Sequence, residues 1–271
     1  MSVPMRVEQE SQLKSFVASP AEIAAIQAVI TKPRFTNCQM LSVVSATDPA
    51  WLRQVIPAPL EPNGDTVRVM VGRWQSNCVG DFAGAGVYVP ARFGDIEGEY
   101  VIAMYMDIDS AILYGREVFG EPKKQAQSRT HKWHKKASGF VDRFGKRLIT
   151  LEVDLTEDRG VTDARGVNFN IKAQPAANGL GLEDDATLTV ADFDVHFDTY
   201  LGGTGKIKLE STDHDPLGSI PLGEVRDAFW QEGDLLAEAR SVAKIPAASF
   251  APYYYARVDD YALMNTELPT L

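Results

Sequence analysis

Two adjacent lysines, Lys123 and Lys124, follow Glu121-Pro122, and Arg116 lies seven residues before the first of them. A lysine amine attacks a carbonyl carbon to form an imine, and it must be uncharged to do so. A free lysine, with a pKa near 10.4, is uncharged only about once in a few thousand at pH 7. A nucleophilic amine therefore needs its pKa to fall by roughly 3–4, on the order of 4–5 kcal/mol. A strand through the pair would send the two side chains to opposite faces. The nitrogens would then be about 10 Å apart, and their repulsion would be worth under ~2 kcal/mol at an effective dielectric near 20. Burial in an apolar pocket shifts a lysine by as much as about 3–5. On this reading desolvation activates Lys123 and Lys124 assists; a turn bringing both amines together is the alternative geometry. Glu121 is the candidate proton carrier. Arg73 and Arg116 are candidates to hold a substrate carboxylate with two parallel hydrogen bonds, and Tyr254, within Tyr253-Tyr254-Tyr255, is a third candidate contact. The bland readings are an ion pair of Arg116 with Glu117, Glu121 in a solvated turn, and the tyrosines on a C-terminal strand in the core or an interface.

The run Gly115-Arg116-Glu117-Val118-Phe119-Gly120-Glu121-Pro122-Lys123-Lys124 resembles the acetoacetate decarboxylase-like superfamily. Ile56-Pro57-Ala58-Pro59-Leu60-Glu61, Tyr88-Val89-Pro90, Glu99-Tyr100, Met104-Tyr105, Gly202–Leu209 and Asp215-Pro216-Leu217 fall in matching order, so the resemblance spans roughly residues 35–260. It implies a Schiff base on Lys123, modulation by Lys124, a cone-shaped closed β-barrel, no cofactor or metal, and a homo-oligomer of four or more subunits. Decarboxylases of this family carry an arginine and two glutamates near the lysine. The matching positions here hold Cys38, Met70 and Gly84. An imine is an electron sink that serves several reactions. The expected function is accordingly a lyase on small keto acids, an aldolase-dehydratase of the pyruvate type or a 2-oxo-enoate hydratase. The alternatives are a β-keto acid (acetoacetate) decarboxylase and, from another class, a noncatalytic barrel that binds a small acid.

The elements that must position these residues are legible from periodicity. Ser19-Pro20-Ala21-Glu22 has the form of a capping box with proline at the first helical position, and Ile23, Ile26 and Ile30 follow at helical spacing. Thr47-Asp48-Pro49 opens a second short helix that ends at Pro57 and Pro59. The period then becomes two. Val67, Val69 and Val71 alternate with Arg68 and Met70, and residues 98–107 read as a strand. Residues 140–155 read as a hairpin turning at Phe144-Gly145-Lys146, with Ile149, Leu151, Val153 and Leu155 on one face. In residues 190–200, Ala191, Phe193, Val195 and Phe197 point one way and Asp192, Asp194, His196 and Asp198 the other. A helix over 109–119, capped by Asp109 or Ser110, ends at Gly120. The fold class is mainly β with a few short helices, a closed antiparallel barrel. Residues 1–34 form an N-terminal arm with a helix, and 35–271 form a single barrel domain.

The chain has 271 residues, 45% of them apolar, and a formal net charge of −10. That balance disfavours nucleic acid. No apolar run approaches the roughly 20 residues of a membrane helix, and Met1–Ser15 lacks an apolar signal core. These features point to a cytoplasmic protein whose partner is a small keto acid. Cys38 and Cys78 are expected as two buried, reduced thiols. His131 with His134, and Asp213-His214-Asp215, lack the further ligands a metal needs and are placed in exposed turns. Gly202–Lys206 fails as a phosphate loop because Tyr200 replaces its first glycine and Ile207 its hydroxyl residue.

Overall fold

A computed structural model describes residues 16–257. The remainder of the expected arm and C-terminus lies outside the described residues. Helix α1 (Pro20–Ile30) begins with the capping box read from the sequence: Ser19 and Glu22 bond each other's backbone N–H groups. It buries none of its residues. Strand β1 (Arg34–Ala46) follows, then α2 (Pro49–Val55), capped by Asp48, and the two-residue β2 (Glu61–Pro62). Strands β3 (Thr66–Ser76), β4 (Gly80–Phe93) and β5 (Ile96–Met106) form an antiparallel meander.

Helix α3 (Asp109–Tyr114) continues as a wider π turn over Gly115–Phe119 and stops at Gly120, whose φ is 83°. The residue before α3 is Ile108, with no side-chain cap, so neither Asp109 nor Ser110 takes that role. Beyond lie β6 (Lys123–Gln125), β7 (Gln127–Trp133), β8 (Lys136–Arg143), β9 (Lys146–Asp158) and β10 (Thr162–Lys172). The hairpin of β8 and β9 turns on Phe144 and Gly145, both left-handed, as the twist of a two-residue loop demands. The long β11 (Ala186–Leu209) and β12 (Val225–Ile245) lead to α4 (Ala247–Arg257).

Seven strands close a ring in the order β10-β5-β4-β3-β1-β12-β11, because β11 pairs back onto β10. The expectation of an antiparallel barrel needs correction: the ring is mixed. It closes where Asn168 and Phe169 of β10 run parallel to Glu99 and Tyr100 of β5, and β6 is also parallel to β5. The loop from β5 through α3 carries the chain back before β6 begins, and a crossover of this kind makes a parallel pair.

Strands β7, β8, β9 and the second half of β11 leave the ring as a flap, and their apolar residues share a core with the outer face of β1, β3 and β4. Strand alternation divides the side chains. Leu41, Val43, Val69 and Val71 face outward, against Val141, Ile149, Leu151 and Val153 of the flap. Met40 and Met70 face inward, with Trp74, Phe82, Tyr88, Met104 and Met106. The Gly202–Lys206 run is plain β11 strand, and no helix of the described residues is long and apolar enough to cross a membrane.

Burial in the outer layer makes a prediction. Leu151 is fully buried, so Leu151→Ala should lower the unfolding free energy by about 2–5 kcal/mol in urea titrations. Ser19→Ala should leave the same transition in place, because α1 contributes no buried residue to it. Equal shifts from the two variants would refute this division of the fold.

Candidate functional site

Strand β6 is only three residues long, and its register on β5 sets Lys123 beside Met104 and Lys124 beside Tyr105. Neighbouring strand residues point to opposite faces. Lys123 and Met104 therefore turn into the barrel, and Lys124 and Tyr105 turn toward the layer under the flap. The strand geometry holds, and the turn that would join the two amines does not occur.

Lys124 Nζ bonds the His214 carbonyl at 3.0 Å and Asp215 Oδ1 at 3.1 Å. Asp215 is fully buried, which overturns its placement in an exposed turn. It also accepts from Tyr105 at 2.9 Å, Thr212 at 3.2 Å and Arg143 Nη1 at 2.7 Å. Burial works to raise the Asp215 pKa, but the Lys124 charge and the Arg143 hydrogen bond outweigh it and hold the carboxyl below its ordinary range. The expectation that Lys124 assists Lys123 is corrected here, since its charge is taken up by Asp215 on the other face of the strand. Arg143 also donates to the Gln125 carbonyl, tying the end of β6 to the flap.

On the inner face, Lys123 and Glu121 are each 7% exposed. Their Nζ and Oε2 atoms stand 2.7 Å apart. The approach lies off the direction of a regular hydrogen bond, so Oε2 keeps unused accepting capacity. The turn that aims both groups is local: the Lys123 N–H donates to the Glu121 carbonyl across Pro122. The Gly115 carbonyl accepts from both Gly120 and Glu121. Gly115 itself lies against the pair, and a Cβ there would overlap Glu121 Oε2 and Lys123 Nζ. The π turn and the glycine of the Gly115-Arg116-Glu117 run thus make room for this pair, a common use of such turns.

The pair opens into a cavity of about 310 Å³ inside the barrel. Its other charged groups are Arg68 and Glu99, with Arg165 at the rim, exposed and paired with Asp194. Arg68 Nε donates to Glu99 Oε1 at 2.9 Å and Nη2 closes the bidentate pair on Oε2. The guanidinium also stacks 4.1 Å from the centre of the Tyr88 ring. Burial pushes the Tyr88 phenol well above its ordinary pKa, against the Arg68 charge, so it stays protonated. Position Gly84, where a family acid would stand, has its space taken by the Met106 side chain. Cys38 is buried, and burial pushes its thiol up to about 12. Cys78 is half-buried; burial raises its pKa and the Lys123 charge opposes that rise. Both cysteines are free.

The sequence-predicted residues therefore separate. Lys123 and Glu121 meet. Arg73 does not join them, because it is exposed and paired with Asp81 on the surface. Its outward direction follows from alternation: Arg68, Met70 and Trp74 face in, and Arg73 falls on the same face of β3 as Val69 and Val71. Arg116 and Tyr254 line a small cleft with Arg257 behind the Glu121–Lys123 segment. Tyr254 is on α4, not on a strand. Sequence reading missed Arg68 and Glu99. The signal that could have found them was present: a charged residue on the apolar-alternating Val67–Val71 run must face something enclosed. Among the described residues no group of three or more His, Cys, Asp and Glu side chains is placed to hold a metal.

A family model described as acetoacetate decarboxylase (ADC) matches residues 18–245. An acetoacetate decarboxylase of Burkholderia multivorans is 29% identical over 217 residues, covering 74% of this chain and 84% of that protein. A solved acetoacetate decarboxylase superposes with a TM-score of 0.71 at 24% identity, covering 78% of this chain and 89% of the other. The enduracididine biosynthesis enzyme MppR, complexed with the condensation product of pyruvate and imidazole 4-carboxaldehyde, does so with a TM-score of 0.66 at 17% identity, over 77% and 88%. At these identities the two structures speak for the fold alone.

The buried anchor behind Lys123 is testable by pH. A depressed carboxyl pKa stabilises the fold above the unfolded value of 3.8, and that stability is lost as pH falls through the lower folded value. Asp215→Asn leaves two cations without their counter-charge and should cost about 3–5 kcal/mol at pH 7. The gap between the urea midpoints of the variant and the parent should narrow as pH drops below 3.8. A gap that stays constant with pH would sink the assignment.

Proposed function

From the premise that this chain belongs to the acetoacetate decarboxylase family, we propose that it is a lyase that forms a Schiff base between Lys123 and a small 2-oxo acid, with Glu121 carrying the proton. The observation that carries this reading is a buried lysine and a buried carboxylate 2.7 Å apart at the wall of an apolar cavity. A proton passed from Nζ to the Glu121 carboxylate leaves both groups uncharged, which an apolar enclosure favours over a separated pair of charges. The free amine then attacks the carbonyl carbon. The C–N bond forms, the carbonyl oxygen leaves as water after protonation, and the imine remains.

Glu121 now lies beside the imine as a carboxylate. With pyruvate it can remove a C3 proton, and the electron pair is accepted by the imine to give an enamine. The enamine carbon adds to an aldehyde, the new hydroxyl departs as water, and hydrolysis of the imine releases a 2-oxo-3-enoic acid. The same groups run the hydration of such an acid in reverse. With Arg165 lying exposed at the rim, Arg68, not Arg73, is the arginine that faces into the cavity. Its Nη1 makes no bond with Glu99 and is the donor offered to a substrate carboxylate. The condensation product bound by MppR belongs to the same chemistry.

Decarboxylation of a 3-oxo acid is the second reading, favoured by the likeness to the Burkholderia multivorans acetoacetate decarboxylase. It needs the imine but no base at C3, so Glu121 separates the two.

Borohydride added to protein and pyruvate should fix a reduced adduct on Lys123, seen by intact mass and peptide mapping, and Lys123→Ala should show none. Absence of an adduct with every 2-oxo and 3-oxo acid tried would end the Schiff-base reading. Glu121→Gln should still reach the adduct, more slowly because water must take the Nζ proton, and at equal adduct should slow exchange of the pyruvate methyl protons in D2O by about 100-fold or more, read by NMR. Unchanged exchange together with CO2 release from acetoacetate would favour the decarboxylase.

A further inference from the structure

We infer that the 2-oxo acid used by this site carries a large apolar substituent, an alkyl chain of several carbons or an aromatic ring, lodged along the barrel interior. The inference rests on the Schiff-base reading for where the carbonyl sits and on the cavity for everything else. Pyruvate and acetoacetate have six or seven heavy atoms, on the order of 100–150 Å³ judged against the roughly 30 Å³ of a water molecule. The cavity offers about 310 Å³, so either acid would leave half of it or more to be filled.

What fills it must be apolar. The walls hold Met40, Met70, Trp74, Phe82, Met104 and Met106. The charged groups inside are Lys123 with Glu121 and Arg68 with Glu99, each an ion pair, and Arg165 at the rim is exposed and paired with Asp194, so beyond the Arg68 donor proposed for the substrate carboxylate the interior offers, among the described residues, no unpaired charge to a second polar group.

The methionines sharpen the class. The sequence has seven, and the four within the described residues all line this one cavity. Their unbranched, polarizable side chains repack around differing shapes, which suits tails that vary more than a tight aromatic slot would allow. Where the sequence aligned Met70 and Gly84 with charged positions of the family, the cavity holds thioethers instead, with Met106 in the space beside Gly84. The lost charges and the gained apolar volume are one change.

The test is a series of 2-oxo acids: pyruvate, 2-oxobutanoate, 2-oxohexanoate, 2-oxooctanoate and phenylpyruvate. Each acid is titrated into wild-type protein, trapped with borohydride and read as adduct on Lys123. The same acids are titrated by calorimetry into wild type and into Lys123→Ala, where no imine can form. The half-saturating concentration for trapping should fall about fourfold for each added methylene until the cavity is full. Phenylpyruvate should rank with the longer chains, and calorimetry with Lys123→Ala should show the same order. Trapping that is as good or better with pyruvate overturns the inference while leaving the Schiff base standing. Affinity rising with length in the absence of any adduct upholds the apolar tail and removes the imine. Flat affinity with no adduct removes both.

Discussion

The site depends on a charge buried on the side of β6 that faces away from it. Lys124 cannot leave its face without abandoning Asp215, and Asp215 cannot lose Lys124 or Arg143 without leaving an uncompensated charge in the core. A three-residue strand has little pairing of its own to hold a register, and a slip of one residue would exchange its faces. The Lys124–Asp215–Arg143 cluster supplies what the ladder lacks. With Lys124 fixed outward beside Tyr105, Lys123 has one direction left, inward beside Met104. The paired lysines thus face opposite ways, Lys124 to its buried counter-charge and Lys123 to the cavity, separated by the pleat of a strand.

The cavity behind Lys123 has Arg68, Glu99 and Glu121 in its walls and Arg165 at its exposed rim, although the aligned family positions hold Cys38, Met70 and Gly84. Arg68 comes from β3, Glu99 from β5 and Glu121 from the turn before β6. A similar inventory of charge does not restore a similar arrangement. Arg68 and Glu99 neutralise each other, and Glu121 stands at the lysine itself. Under the proposed reading, a carboxylate touching the amine is the group placed to move protons at the imine.

Much of the fold was legible because its signals are local. The capping box at Ser19, the Phe144-Gly145 turn and the alternation through Ile149–Leu155 each need only a few residues to declare themselves. The inward face of Ala191, Phe193, Val195 and Phe197 was equally visible, and Phe193, Val195 and Phe197 line the cavity. The failures came from long-range pairing. Nothing near Glu99 announces that β10 will run parallel to it, and that closure makes the barrel mixed. Asp215 reads as a turn residue until Lys124 and Arg143, far away in sequence, converge on it. Arg73 and Arg68 look alike as candidate anion holders. Alternation puts Arg73 on the face of Val69 and Val71 and Arg68 on that of Met70, but only closure of the barrel tells which face is the inside.

Strand β5 gathers these long-range events. It pairs β4 along its length, receives β10 in parallel at Glu99 and Tyr100, and receives β6 in parallel at Met104 to Met106. Each parallel contact is a place where a meander cannot continue and the chain must return from elsewhere. One of them closes the barrel beside the Arg68–Glu99 pair, and the other brings Lys123 in. The methionines at 104 and 106 lie at the second contact, facing the enclosed space. Closure and chemistry are therefore not separable on this strand. A sheet that stayed antiparallel at β5 would neither close at Glu99 and Tyr100 nor set Lys123, with Glu121 beside it, at the wall of an apolar cavity.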